Sequence, residues 1–225
     1  MKKRILTALP VLLLLAFVFY TSDYYRADEQ ALEALNSEIV SKTDYGWFFD
    51  GPESSDVLLF YPGAKVEETA YAPMLLSLAE SGLDVCLIKV PFHLAVFGIN
   101  RADAVLGQIP DQNVYIGGHS LGGAMAAYYA SSHDLDGVML FAAYPTKKLD
   151  EPVLIIYGTE DLVLNMEKVN SADQFGAVDV QIVDGGNHAQ FGNYGIQKGD
   201  GEAKIPAWQQ QRETTERVMA WLREK

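Results

Sequence analysis

Six short apolar runs recur along the chain between stretches of helical pattern, and no other feature narrows the fold as much. The runs are 56–61 (DVLLFY), 84–90 (DVCLIKV), 113–117 (NVYIG), 137–141 (GVMLF), 152–157 (PVLIIY) and 178–183 (VDVQIV). Several are apolar at consecutive positions, as strands buried on both faces are. Helical stretches fill the gaps, from EETAYAPMLLSLAESG after the first run to AWQQQRETTERVMAWLRE at the end. Strand then helix, repeated, means βαβ units, a parallel sheet and helices on both of its faces. An aromatic strand at DYGWFFDG precedes them. The expectation is one doubly wound, mostly parallel α/β domain over residues 44–225. The gap between the strands at 141 and 152 holds only AAYPTKKLDE, too little for an inserted lid.

Two segments precede that domain. Lys2, Lys3 and Arg4 stand before ILTALPVLLLLAFVFY, sixteen residues without a charge. Basic residues before an apolar run hold the N-terminus in the cytoplasm and direct the rest across. The run exceeds the apolar part of an ordinary signal peptide, and YTSDYY puts tyrosines where a cleavage site needs small residues. Residues 1–26 therefore read as an uncleaved signal anchor, a single transmembrane helix at the cell membrane with the remainder outside the cytoplasm. Cleavage would make the chain secreted instead. Residues 27–43, which include ADEQALEALNSE, read as a helical linker.

Charge and cysteine content remove several function classes. A formal net charge of -13 repels phosphate backbones, so nucleic acid is not an expected partner. The single cysteine, Cys86, rules out an internal disulfide framework and any Cys-rich metal site. No metal or other cofactor is expected.

Chemistry enters with Gly118-His119-Ser120-Leu121-Gly122, a G-x-S-x-G pattern between the third run and a small-residue helix. Ligands of open α/β sheets bind beyond the carboxyl ends of the strands, which is where Ser120 falls. A serine in such a turn projects its hydroxyl from the sheet edge, and the residues two before and two after must lack side chains. A serine also needs a base, and imidazole has the appropriate pKa. Of four histidines, His188 follows the last strand, at the same edge as Ser120. The imidazole in turn needs a carboxylate, and LIIYGTEDLV offers Asp161, with Glu160 as the fallback and Asp184 as a weaker neighbour. The chain order Ser120, Asp161, His188 is the order of α/β-hydrolase triads. Acyl transfer further requires two donors at a developing oxyanion. One is the backbone N–H of Leu121; the other comes from the PGAK turn after the first run, at Ala64 or else Lys65.

The motifs FYPGAKV, GGHSLGG, IYGTEDLVLN and GGNHAQFGNYGIQKGDGEA resemble the α/β-hydrolase superfamily, in particular its small branch related to dienelactone hydrolase. The resemblance implies an α/β-hydrolase fold, with Ser120 as nucleophile, Asp161 as acid, His188 as base and Ala64 and Leu121 as oxyanion donors. It departs from dienelactone hydrolases proper, whose nucleophile is cysteine. The expected activity is carboxylesterase-like hydrolysis of small or polymer-borne esters. Acyl transfer through the same triad, or an inactive surface-displayed binding protein on this scaffold, are the alternatives. Phe191 and Tyr194 are candidates for one wall of the pocket, and Phe92, His93 and Phe97 are candidates for pocket or core.

Overall fold

The computed structural model describes residues 2–109 and 112–225, with the side chains of the first helix from residue 9 on. Strands β1 (Val40–Lys42), β2 (Gly46–Phe49), β3 (Asp56–Tyr61), β4 (Asp84–Ile88), β5 (Asn113–His119), β6 (Gly137–Phe141), β7 (Val153–Gly158) and β8 (Val178–Val183) form one sheet, in the order β1-β2-β4-β3-β5-β6-β7-β8. β4, β3 and β5 to β8 pair in parallel, while β1 and β2 add antiparallel at one edge. The helices are α1 (Lys2–Ser22), α2 (Glu29–Ala34), α3 (Ala72–Glu80), α4 (Ala102–Leu106), α5 (Leu121–Ala130), α6 (Met166–Asn170) and α7 (Ala207–Leu222).

The continuous apolar runs are explained by two cores, one on each side of the sheet. Successive residues of a strand point to opposite faces. Leu58 and Phe60 of β3 join α3 and α7 through Met74, Leu75, Leu78, Val218 and Trp221. Val57, Leu59 and Tyr61 join α4 and α5 through Val105, Ala126, Ala127 and Tyr129. The small residues of α5 let it lie close over β3, β5 and β6.

Three segments differ from the sequence expectation. The segment 27–43 is not simply a helical linker, because β1 lies within it and extends the sheet. The stretch 94–108, whose sequence LAVFGINRADAVLGQ has a helical pattern, is two short 3₁₀ turns at Ala95–Phe97 and Ile99–Arg101 followed by α4, with a further 3₁₀ turn at Pro91–His93 just before it. Gly98, with non-helical backbone (φ −141°), separates two of the turns. Among the described residues, no helix is long and apolar enough to cross a membrane, so the fold lends the expected single-pass anchor no support.

Candidate active site

β5 ends at His119, α5 begins at Leu121, and Ser120 between them takes φ 53° and ψ −122°. A non-glycine residue at positive φ is strained, and the surrounding packing has to hold it there. Two glycines account for much of that packing. A Cβ on Gly118 would collide with the Tyr61 carbonyl, and one on Gly122 with the carbonyls of Tyr61 and Pro62. The Ser120 N–H donates to the Phe141 carbonyl at 2.9 Å, fixing the turn to β6. Ser120 is half-buried at the first turn of α5, where helix N–H groups are free.

Asp161 lies just beyond β7, and its side chain is fully buried. Its Oδ1 accepts the N–H groups of Val163 at 2.9 Å and Leu164 at 2.8 Å. Its Oδ2 is 2.9 Å from Nδ1 of His188. A carboxylate accepts, so Nδ1 carries the proton and Nε2 presents a lone pair. That Nε2 is buried and has no hydrogen-bond partner. Ser120 makes no hydrogen bond to it; the two side chains line one cavity of about 290 Å³ together with Leu121, Ala124, Ala142, Ala143, Tyr144, Thr146, Val163, Leu164 and Asn165. The structure thus joins Asp161 to His188 directly and brings Ser120 to the same cavity. The two other carboxylates turn elsewhere. Glu160 pairs with Lys204 at 2.7 Å, which holds its carboxyl below the usual range, and Asp184 meets Thr159.

The turn after β3 carries Ala64. Its neighbours' N–H groups are engaged: Gly63 donates to the Tyr71 hydroxyl at 3.0 Å and Lys65 to the His93 carbonyl at 2.7 Å. Among the described residues the Ala64 N–H has no such acceptor, and neither does that of Leu121. Lys65 itself sits at φ 57°. Its carbonyl accepts from Tyr25, whose own carbonyl accepts from Glu67, so the strand-like segment after α1 is stitched along this turn.

Other parts of the site gave no motif in the sequence. The Tyr71 hydroxyl takes the Gly63 N–H and lies 2.8 Å from Nδ1 of His119, so its own proton goes to that nitrogen. His119 is buried with its ring 4.5 Å from that of His188. Burial first, and the His188 imidazole second, hold His119 well below the ordinary imidazole range, against the opposing His188 backbone carbonyl. His119 is therefore neutral. The loop carrying His188 is fastened by side-chain amides. Gln210 of α7 accepts the Asn187 N–H at 2.9 Å and donates to the Asn187 carbonyl at 2.8 Å, while Gln211 donates to Gln190 and Asn193. Asp200, in the Gly-Asp-Gly turn, accepts the Ala189 N–H at 2.8 Å and the Leu162 N–H at 3.4 Å, tying the His188 loop to the Asp161 loop. A buried glutamine pair on a C-terminal helix and an aspartate between glycines are the only traces of this network in the sequence.

The expected pocket aromatics are misplaced. Phe191 and Tyr194 are buried in the core rather than forming a cavity wall, and Phe92 and Phe97 are half exposed beside α1. His93 stacks on Tyr24 with ring centroids 3.9 Å apart, away from the cavity.

Comparison with known proteins follows the same architecture. The chain resembles the dienelactone hydrolase of Anabaena variabilis at 14% identity and a TM-score of 0.57, over 80% of this chain and 94% of that one. It resembles Est1E from Butyrivibrio proteoclasticus at 13% identity and a TM-score of 0.59, over 83% and 98%. It resembles the esterase domain of a Rhodothermus marinus protein at 14% identity and a TM-score of 0.58, over 83% and 97%. At such identities the likeness is one of fold. No curated protein sequence matches the chain. The model of the alpha/beta hydrolase family matches residues 57–212, which span β3 through most of the first half of α7 and include Ser120, Asp161 and His188. The chain belongs to the alpha/beta hydrolase family.

Proposed function

We propose that the protein is a serine hydrolase of ester bonds. The observation that carries this reading is the buried Asp161–His188 pair, whose free Nε2 lines the same cavity as Ser120. Hydrogen bonds of a catalytic serine are often open in the unliganded state and close on the substrate. His188 Nε2 takes the Ser120 proton as Oγ attacks the ester carbonyl. Asp161 holds the tautomer and stabilises the imidazolium that forms. The N–H groups of Ala64 and Leu121 receive the oxyanion, where each such donor is worth roughly 3 to 4 kcal/mol. The tetrahedral intermediate collapses, the imidazolium protonates the leaving alcohol, and water drawn onto the acyl carbonyl by the same base releases the acid.

Cavity size and lining favour short acyl groups. About 290 Å³, walled by Leu121, Ala124, Ala142, Ala143, Val163 and Leu164, sits at the small end of ligand pockets. The short β6–β7 connection supplies no cover that would exclude water, which favours hydrolysis over transfer to an acceptor alcohol. The esterase name of the Rhodothermus marinus neighbour is consistent with this chemistry. Residues 1–26 tether the domain to the cell membrane from outside the cytoplasm; the basic triplet and the apolar run support this.

The full chain should hydrolyse p-nitrophenyl acetate, and a fluorophosphonate should label Ser120. Ser120→Ala should lower turnover by at least about 10⁴-fold with folding intact by circular dichroism. Undiminished turnover in that variant would refute the mechanism.

A further inference from the structure

Phe92, Val96 and Phe97, on the segment after β4, are 52%, 49% and 51% exposed. Phe92 and His93 both take left-handed backbone, at φ 59° and 54°. Two successive bulky residues in that region are strained, and strain held in place by packing points to a function. Here the hold comes from the Lys65 N–H, which donates to the His93 carbonyl, and from Tyr24, which stacks on the His93 ring. The outcome of that strained turn is a phenylalanine held outward.

The three side chains continue an apolar surface. Phe92 and Phe97 meet edge to face at 5.6 Å, and Phe17 of α1 closes on both, at 5.1 and 5.7 Å. On α1, Leu12, Leu13, Leu14 and Leu15 are each about three-fifths exposed, at 61%, 64%, 61% and 59%. Four successive helical residues point to all sides. A protein groove covers one face of a helix, whereas lipid covers every face. The polar end of the surface is marked as well. Lys65 Nζ lies 4.5 Å over the Tyr20 ring and the Arg26 guanidinium 4.6 Å over the Tyr24 ring. Tyrosines with cations, set where an apolar helix meets its domain, are the side chains favoured at headgroup level.

We propose that Phe92, Val96 and Phe97 seat together with α1 in the hydrocarbon of a lipid bilayer, so that the domain rests on the membrane by the carboxyl edge of its sheet. The inference rests on the reading of the N-terminal segment as a membrane tether and stands apart from the acyl chemistry. Because Lys65 follows Ala64 and holds the His93 carbonyl, the seated loop adjoins the turn that carries the oxyanion donor.

The test uses the full chain with Val96→Cys carrying an environment-sensitive fluorophore. Cys86 does not compete, since it is buried and its thiol is pushed up to about 12. The protein is reconstituted into phosphatidylcholine vesicles with nitroxides on the acyl chains. The Val96→Cys label should be quenched as deeply as a label at Phe19→Cys on α1, and a label at Ile182→Cys on β8, the far edge of the sheet, should not be. Quenching at Phe19→Cys without quenching at Val96→Cys would overturn the docking of the loop while leaving the tether intact. Failure of the chain to float with the vesicles would overturn both. Shielding of the Val96→Cys label that depends on protein concentration and not on lipid would give the surface to a second copy and also overturn the proposal. Turnover of p-nitrophenyl acetate in the same samples reads the ester chemistry separately.

Discussion

At Ser120 the backbone is fixed by collisions: any Cβ at Gly118 or Gly122 would enter the carbonyls of β3 and the turn after it. Around His188 hydrogen bonds from Gln210, Gln211 and Asp200 are added to such collisions, since a Cβ on Gly158 would enter the backbone of Gly186 and Asn187. Both regions sit at one sheet edge, and the proposed proton transfer would need each accurate to a fraction of an ångström. The first kind of constraint is absolute and local, since it depends on the absence of atoms at two positions next to the serine. The second is graded and distant, since the groups that hold the loop lie 11 to 23 residues further along the chain. A steric requirement therefore tolerates no substitution, whereas a polar network can be weakened one bond at a time.

The largest effect should come from breaking the collision-limited side. Gly122→Val places a branched side chain against the Tyr61 and Pro62 carbonyls, and relief requires α5 to lift from the sheet. The expected cost exceeds about 4 kcal/mol, the range of severe core disruption, against a total stability of order 5 to 15 kcal/mol. The variant should express mainly as insoluble protein, and any soluble fraction should lack both the native thermal transition and fluorophosphonate labelling. A native transition with normal labelling would mean that the strained turn does not depend on this glycine.

An intermediate effect should come from Gln210→Leu. The leucine leaves the N–H and carbonyl of Asn187 buried and unpaired, at about 1 to 3 kcal/mol for each group. The loop will move to recover those bonds, and His188 moves with it. Displacement of a catalytic group by about 1 Å costs on the order of 100-fold. Turnover should fall by roughly 10- to 100-fold while the fold survives, with KM changing far less than kcat. Gln210→Glu sharpens the comparison, because burial keeps the new carboxyl protonated, so that it still accepts the Asn187 N–H and offers an O–H in place of the amide donor. Its loss should fall between wild type and Gln210→Leu. Equal losses in the two variants would assign the role to the volume of the side chain instead of its hydrogen bonds.

The same division explains what could be read from the amino-acid order. The strands at 56–61 and 137–141 appear in the structure with the bounds of their apolar runs, because burial on both faces writes itself as consecutive apolar residues. The serine turn was legible because its steric demand reduces to glycine at two fixed offsets. Asp161 and His188 could be chosen because each follows a strand at the sheet's carboxyl edge. β1 was not legible: Val40, Ser41 and Lys42 form an edge strand with no buried residue, so no apolar pattern marks it. The Tyr71–His119–Gly63 contact was not legible either, since it joins positions 48 residues apart by one hydroxyl. The aromatic residues misled for a related reason. Phe191 and Phe92 have equal hydrophobicity, and only the route of the backbone buries one in the core and turns the other outward.

The smallest effect concerns that illegible contact and appears only with pH. His119 in the folded chain is held well below the ordinary imidazole range by burial and by the neighbouring His188 ring. In the unfolded chain it takes up a proton near pH 6.5. Below that pH the unfolded state binds more protons than the folded one, so this group's contribution is complete above about 6.5 and is lost as the pH falls, at up to about 1.4 kcal/mol per pH unit. His119→Asn replaces Nδ1 by an amide oxygen that can still accept from the Tyr71 hydroxyl, and it removes the titration. Between pH 7 and 5.5 the wild-type melting temperature should drop by several degrees more than that of the variant, given about 2 to 4 °C for each kcal/mol in a chain of this size. Parallel pH dependence in the two proteins would mean that His119 takes up its proton without unfolding. The Tyr71 hydroxyl would then have to accept from Nδ1 and send its own proton elsewhere, so that the Gly63 N–H beside Ala64 would share that oxygen with a second donor.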